Sequence, residues 1–149
     1  ASMPRLHEWR FDMLTGSVSE QYLDDVGSEF PRVAARDAGL PARYGFSMGL
    51  GFIGGEPQIL KYDLDRGAEK SVHTFPQGHT PGEPTFVPAS DATQGDDGWV
   101  TTFVHDAGTD TSYMVILDAT DMAADPVAEV QLPRRIPTGF HGSWIPDPA

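Results

Sequence analysis

Hydrophobic and polar positions alternate along this chain in short runs of period two, and each run stops at a turn signal. Residues 6–12 alternate and are rich in aromatics, Thr15 and Gly16 turn the chain, and residues 17–23 run back. The arrangement recurs as residues 59–63, a turn at Arg66 and Gly67, and a return over residues 70–75. A third copy has residues 113–117, a longer turn through residues 121–125, and a return over residues 126–132. Residues 99–105 are expected to pair with 113–117 across residues 108–110. Alternation of this kind puts one set of side chains on each face of a sheet, so these segments predict antiparallel hairpins. Only residues 33–38 have helical character, and Pro31 and Pro41 keep that stretch short.

The phrases Phe11-Asp12-Met13 and Tyr62-Asp63-Leu64 lie about fifty residues apart, and Ile116-Leu117-Asp118 follows after a similar gap. A repeat of that length built from short strands suggests propeller blades; a sandwich or barrel with similar hairpins gives the same pattern. At roughly fifty residues per blade the chain makes two or three blades, whereas a closed ring needs about four or more. The propeller reading therefore implies an incomplete domain with strand edges left to pair. The expected fold class is all-β with little helix, and sixteen glycines and thirteen prolines point the same way.

Composition narrows the chemistry. The 149 residues have the length of one domain, and 39% are hydrophobic. No apolar run approaches the ~20 residues of a spanning helix. The first ten residues are charged and show no apolar stretch of a secretory signal. A net charge of −12, from two lysines and eight arginines against 22 acids, argues against nucleic acid as a partner. Solubility accounts for the acidity. Cysteine is absent, which removes disulfides, thiolate metal sites and cysteine nucleophiles, and fits a reducing cytoplasm. Any metal must be held by His, Asp or Glu.

Three segments stand out from the strand-and-turn background: Ser28-Glu29-Phe30-Pro31-Arg32, Pro81-Gly82-Glu83-Pro84-Thr85-Phe86-Val87-Pro88, and Gly139-Phe140-His141-Gly142-Ser143-Trp144. Two of them set a carboxylate among prolines and aromatics, where it needs a hydrogen-bonded or charged partner. The third sets an imidazole between a phenylalanine and a glycine. Taken singly, His141 reads as a satisfied core histidine or a ligand. Glu83 reads as a turn carboxylate on backbone amides, and Glu29 as the cap of a short turn.

Together, the strings Glu29-Phe30-Pro31-Arg32, Pro81-Gly82-Glu83-Pro84, Asp96-Asp97-Gly98-Trp99 and Gly139-Phe140-His141-Gly142 occur in the order seen in the carotenoid cleavage oxygenase family, which this chain resembles. Arg43-Tyr44-Gly45 and Lys61-Tyr62-Asp63-Leu64 belong to the same resemblance, which runs from Trp9 to Pro146. The family also includes stilbene-cleaving dioxygenases and the vertebrate retinoid isomerohydrolase. The resemblance implies that residues 1–149 are the C-terminal segment, the last two to three blades, of a seven-bladed β-propeller with iron(II) on its axis. It implies that His141 is the last of four histidine ligands, with Glu29 and Glu83 as carboxylates that hydrogen-bond to ligand histidines. The imidazole would then be turned to the axis, near those glutamates and away from solvent. Neutral imidazoles suit iron(II), and each needs an acceptor on its free N–H to fix tautomer and orientation. Gly142 would allow close backbone approach.

By the same resemblance the complete protein would cleave an alkene double bond of a carotenoid, apocarotenoid or stilbene with O2, giving two carbonyl products. Isomerohydrolase chemistry and a non-catalytic binding or assembly segment are the alternatives. The other three ligands lie on earlier blades in the family, so this chain alone should be inactive. Its partners are the remaining blades, in the same longer polypeptide or a second chain, and a lipophilic or aromatic alkene. The expected location is cytoplasmic, with peripheral membrane contact open. His7, His73, His79 and His105 fall where the family has no ligand and are expected to be surface or packing residues; His79 is close enough in sequence to Glu83 for a structural contact. Phe140, Trp144, Phe46 and Tyr44 are candidates for packing near the site or in the core. Ala34 and Ala35 stand where the family usually has an acidic residue.

Overall fold

The computed structural model describes residues 3–147. Ten strands carry the fold: β1 Arg5–Phe11, β2 Val18–Val33, β3 Tyr44–Gly49, β4 Gln58–Asp63, β5 Glu69–Thr74, β6 His79–Pro81, β7 Thr85–Pro88, β8 Gly98–Asp106, β9 Thr111–Asp118 and β10 Ala128–Gln131. All pairings are antiparallel, in the order β1-β2-β3-β4-β5 and β10-β9-β8, with β6 and β7 both pairing with β8. Among the described residues helix is confined to three 3-10 turns at Ala35–Asp37, Gly51–Ile53 and Leu64–Arg66. Only the first of these falls on the expected helical stretch.

The return strand expected over residues 17–23 does not stop there. β2 runs for 16 residues and changes partner midway. Its first part pairs with β1, from Val18 opposite Phe11 to Gly27 opposite Arg5. Its last part pairs with β3, from Ser28 opposite Gly49 to Val33 opposite Gly45. One strand thus serves two layers. The β1–β2 hairpin packs Leu6, Leu23 and Val26 onto Leu60, Tyr62 and Ala68 of the β2–β5 sheet. The opposite face of that sheet sends Phe46, Met48 and Ile59 against Val100, Val104, Val115 and Leu117 of the second sheet. Chain order produces the stacking: the outer strand of each layer continues into the inner strand of the next, as β5 does into β6.

Alternation explains which residues are inside. On β8, Val100, Thr102 and Val104 are buried while Trp99 and Phe103 are exposed; on β9, Tyr113, Val115 and Leu117 are buried. Fully burying side chains of this size contributes roughly 1.5–3 kcal/mol each. The three similar hairpins of the sequence are therefore the outer halves of three successive layers: β1 with β2, β4 with β5, and β9 with β10.

Where β2 pairs with β3 the register slips. Glu29 lies opposite Met48 and Arg32 opposite Phe46, so Phe30 and Pro31 together face Ser47. This is a β-bulge, where a strand tolerates a proline that cannot donate to the ladder. Phe30 takes a left-handed φ of 54°, a conformation that costs a bulky residue about 1–3 kcal/mol. Strand parity would put residues three apart on opposite faces. The bulge puts Glu29 and Arg32 on the same face, toward the second sheet.

Candidate metal centre

β6 and β7 are two short pieces along β8, interrupted by Gly82-Glu83-Pro84. Gly82 keeps the chain on the sheet by donating its N–H to the Phe103 carbonyl at 2.8 Å. Pro84 has no N–H to offer, and pairing resumes at Thr85. The break sends the Glu83 side chain inward, where it is 4% exposed.

Four hydrogen bonds converge at this point. Gly142 donates its backbone N–H to Glu83 Oε2 at 2.7 Å, and Arg32 Nη1 donates to the same oxygen at 2.8 Å. His141 Nδ1 meets the other oxygen, Oε1, at 3.1 Å. Arg32 Nη1 also donates to the Gly142 carbonyl at 3.1 Å. Burial by itself would raise the Glu83 pKa, but the bonds from Gly142, His141 and Arg32 together hold it below the ordinary glutamate value. An ionised carboxylate only accepts. His141 must therefore donate from Nδ1, which in a neutral ring leaves the Nε2 lone pair free for a metal ion.

The ring of Phe30 stands edge-on to the His141 imidazole, with centroids 5.8 Å apart, and edge-on to Phe140 at 6.3 Å. The strained bulge residue is thus the apolar wall beside the imidazole. The His141 side chain is nevertheless 73% exposed. The expectation of a ring turned away from solvent is not met within this chain, because no described residue stands over its outer side.

Iron(II) can be tested against these donors. Among the described residues no three His, Asp or Glu side chains gather closely enough to hold an ion. What the chain offers is one imidazole, its tautomer set by a buried carboxylate and its second nitrogen open. That is the donor type a ferrous ion takes, in a number that cannot define its geometry alone.

Other candidate residues fall elsewhere. Glu29 is half-buried on β2 and has no hydrogen bond to His141 or Glu83 among the described residues. It caps no turn, since the strand continues through it. A Cβ on Gly142 would meet only Thr85 Oγ1, at an ordinary 3.5 Å. Its N–H and carbonyl, not close approach, are what the site uses. His79 makes no hydrogen bond to Glu83 among the described residues; its Nδ1 lies 2.9 Å from the Tyr113 hydroxyl. His7 pairs with Glu20 and His105 with Asp110, while His73 bonds the Met122 carbonyl. Phe46 is a core residue stacked on Phe86, and Ala34 is buried beside it. Tyr44 is half-buried against the core, with Arg43 and Lys61 over its ring. Phe140 is exposed. Trp144 lines a cavity of about 180 Å³ with Ala34, Arg36, Pro84 and Phe86. Arg32 and Phe30 were visible in the sequence only as parts of a motif, with no signal of their contacts to Glu83 and His141.

Comparison with known proteins gives one answer. Residues 1–146 match the family described as retinal pigment epithelial membrane protein, RPE65. The chain is 36% identical to a carotenoid 9,10(9',10')-cleavage dioxygenase 1 of Arabidopsis thaliana, over 94% of this chain and 28% of that protein. It is 38% identical to an apocarotenoid-15,15'-oxygenase of Synechocystis sp., over 91% of this chain and 29% of that protein. A crystal structure of cobalt-substituted Synechocystis ACO superposes with a TM-score of 0.85 at 33% identity, covering 93% of this chain and 29% of that one. The chain thus spans under a third of the length of these relatives. Its layers are propeller blades: two complete, and one present as its outer hairpin.

Proposed function

The chain belongs to the RPE65 family of carotenoid cleavage oxygenases, and on that premise we propose that it supplies His141 as the last histidine ligand of an iron(II) oxygenase. The complete protein would cleave a carbon–carbon double bond of a carotenoid, apocarotenoid or stilbene with O2, releasing two carbonyl products. The relatives' names support the reaction class. The observation that carries the site is the bond from His141 Nδ1 to buried Glu83, which leaves Nε2 open.

Each residue then has a part. His141 holds the ion, and Glu83 sets the ring's tautomer and direction. Glu29 carries a carboxylate with no partner among the described residues, and it orients a ligand histidine from outside this chain. The iron, when bound, supplies the redox chemistry that brings O2 to react with the alkene. Phe30, with Phe140 edge-on to it, keeps one side of the imidazole apolar, which suits a lipophilic substrate.

The other three histidines come from further blades, in the same longer polypeptide or in a second chain. Both ends of the stack have apolar faces for them. At one end Trp9, Phe11, Val18 and Tyr22 of the hairpin are exposed; at the other, Trp99, Phe103 and Val130 of the second sheet. Blades seated on these faces would close the ring around the axis and cover the open side of His141. No helix among the described residues is long and apolar enough to cross a membrane.

Iron analysis of the complete protein tests this proposal. About one iron per propeller, lost in His141→Ala, together with two carbonyl products from a carotenoid or stilbene, is the expected result. Full iron in His141→Ala would remove the assignment. A complete propeller that takes up no iron would leave a binding module. Turnover of a retinyl ester, with no alkene cleavage, would select isomerohydrolase chemistry.

A further inference from the structure

Among the described residues Arg32 is the one side chain that ties both the acceptor of His141 and the backbone beside it to the preceding blade, and we propose that it is a positioning residue for the metal ligand. This rests on the reading of His141 as a ligand and adds a residue that the reading does not require.

The tail that carries His141 has little else to hold it. From residue 132 to 147 it contains no strand or helix. Its other polar anchors among the described residues come early: Leu132 N–H to the Ser112 carbonyl, Ile136 N–H to Ser112 Oγ, and an exposed Arg135–Asp110 pair at 3.4 Å. Five residues beyond Ile136 the imidazole must be directed from a coil, and a coil without a ladder has many accessible backbone states. The hydrogen bonds that fix it are those at Gly142 and His141 themselves. Of these three, one comes from Arg32 and another shares its acceptor oxygen with Arg32.

The division of acceptors gives Arg32 its effect on the ring. Glu83 Oε2 receives both the Gly142 amide and the Arg32 guanidinium, at 2.7 and 2.8 Å, which occupies that oxygen with two charge-assisted bonds. Oε1 is thereby left to the imidazole. The same Nη1 takes the Gly142 carbonyl, so it braces that peptide on its C=O side while Glu83 braces it on the N–H side. Without Arg32 the carboxylate can rotate and exchange its oxygens between amide and imidazole, and the Gly142 carbonyl loses its partner. The ligand would then sample several directions toward the ion.

Arg32 occupies this place because of the Phe30–Pro31 bulge. The bulge turns Arg32 to the face that meets the second sheet, and the guanidinium then reaches a residue 51 positions away. A plain staple between blades would tie the sheets together without touching the ligand's carboxylate or its peptide. Arg32 touches both.

The test compares ferrous-ion affinity and the visible spectrum of the cobalt(II)-loaded form in the complete protein with Arg32, Arg32→Lys and Arg32→Met. Unfolding of each apoprotein is followed alongside. Outer residues that orient a ligand typically change metal affinity by about ten- to a hundred-fold. Arg32→Met is expected to bind ferrous ion weaker by that factor, with a shifted cobalt spectrum and an apoprotein that unfolds within a few degrees of the parent. Arg32→Lys keeps the charge as a point donor without the planar fork and should fall between the two. Parent affinity and an unaltered cobalt spectrum in Arg32→Met would overturn the proposal. If Arg32→Met does not fold, the same two unchanged readings in Arg32→Lys overturn it. His141→Ala run in parallel separates the two ideas: metal retained there removes the ligand reading, whereas metal lost there but unaffected at Arg32 removes only this one.

Discussion

Lys61 Nζ and Asp96 Oδ2 meet at 2.6 Å across the interface between the two complete blades, and the same ammonium donates to the Ala119 carbonyl at 2.6 Å. Lys61 is 7% exposed, and the Tyr44 ring lies 4.4 Å from its nitrogen. A buried ammonium is tolerated because carboxylate, carbonyl and ring face all receive it. Removing one partner of such a pair leaves the other charge buried and uncompensated, which costs about 3 kcal/mol or more. Lys61→Met should lower the unfolding free energy of the complete protein, measured in urea, by that amount, and Asp96→Asn by less, since Ala119 still accepts. Equal stability of Lys61→Met and the parent would show that the blades do not depend on this contact.

Gly98 opens β8 at φ 152°, a region side chains rarely enter. An added Cβ would collide with the Val87 carbonyl oxygen and sit 2.9 Å from Pro88 Cα. These are backbone atoms of the paired strand β7, so they cannot turn aside. Gly98→Ala should open the β7–β8 pairing and cost about 2 kcal/mol or more. Faster amide hydrogen exchange at Val87 and Ala89, with little change at Val115, is the expected measurement.

Acid should weaken the contact between the hairpin and the first complete blade. Burial alone would raise the Asp24 pKa, but bonds from Lys70, the Tyr62 hydroxyl and the Val26 amide hold it below the usual aspartate range. A carboxylate depressed in the folded state adds stability above its unfolded pKa of about 3.9 and loses it as pH falls through the lower folded value. The urea midpoint should therefore drop below about pH 4, and Lys70→Met should show a shallower drop over the same window. At the alkaline end the sign reverses. The Tyr62 hydroxyl, pushed up to about 12 by burial and by Asp24, helps most below pH 10 and loses that contribution as pH rises toward 12.

Phe103 lies on the outer face of the second sheet and is 49% exposed. If the next blade of the ring covers it, Phe103→Ala in the complete protein removes a buried ring and costs about 3 kcal/mol. An open surface position would lose only about 0.5 kcal/mol. Denaturant unfolding of that single variant distinguishes the two and tests ring closure on this face.

The all-β class, the hairpins and their turns were legible along the chain, because period-two alternation and Gly or Pro punctuation are local signals. Residues 99–105 and 113–117 pair as the alternation predicts, within one residue at the ends of β8. The motifs that carry the family resemblance were legible as words but not as contacts. Asp96 receives Lys61, Asp97 accepts the Thr93 and Gln94 amides, and Gly98 makes room for Val87, so that motif holds blades and turns together and makes no chemistry. Arg43 likewise clasps Asp63 at 2.7 Å.

The length of β2 was hidden because Asp24, Asp25, Gly27 and Ser28 interrupt the alternation after residue 23, and only a bulge lets pairing continue past Pro31. That single extra residue reverses parity and turns Glu29 and Arg32 to the same face. Glu83 and His141, 58 residues apart, meet because one sits in a gap between two short strands and the other on a coil clamped over that gap. The amino-acid order thus specified the all-β class and the three hairpins, which depend on neighbours a few positions away, and it marked His141 as a candidate ligand through the family motif. Which carboxylate reaches that ligand, and which guanidinium braces it, depended on how separate blades stack, since such distances follow from packing and from one slipped register.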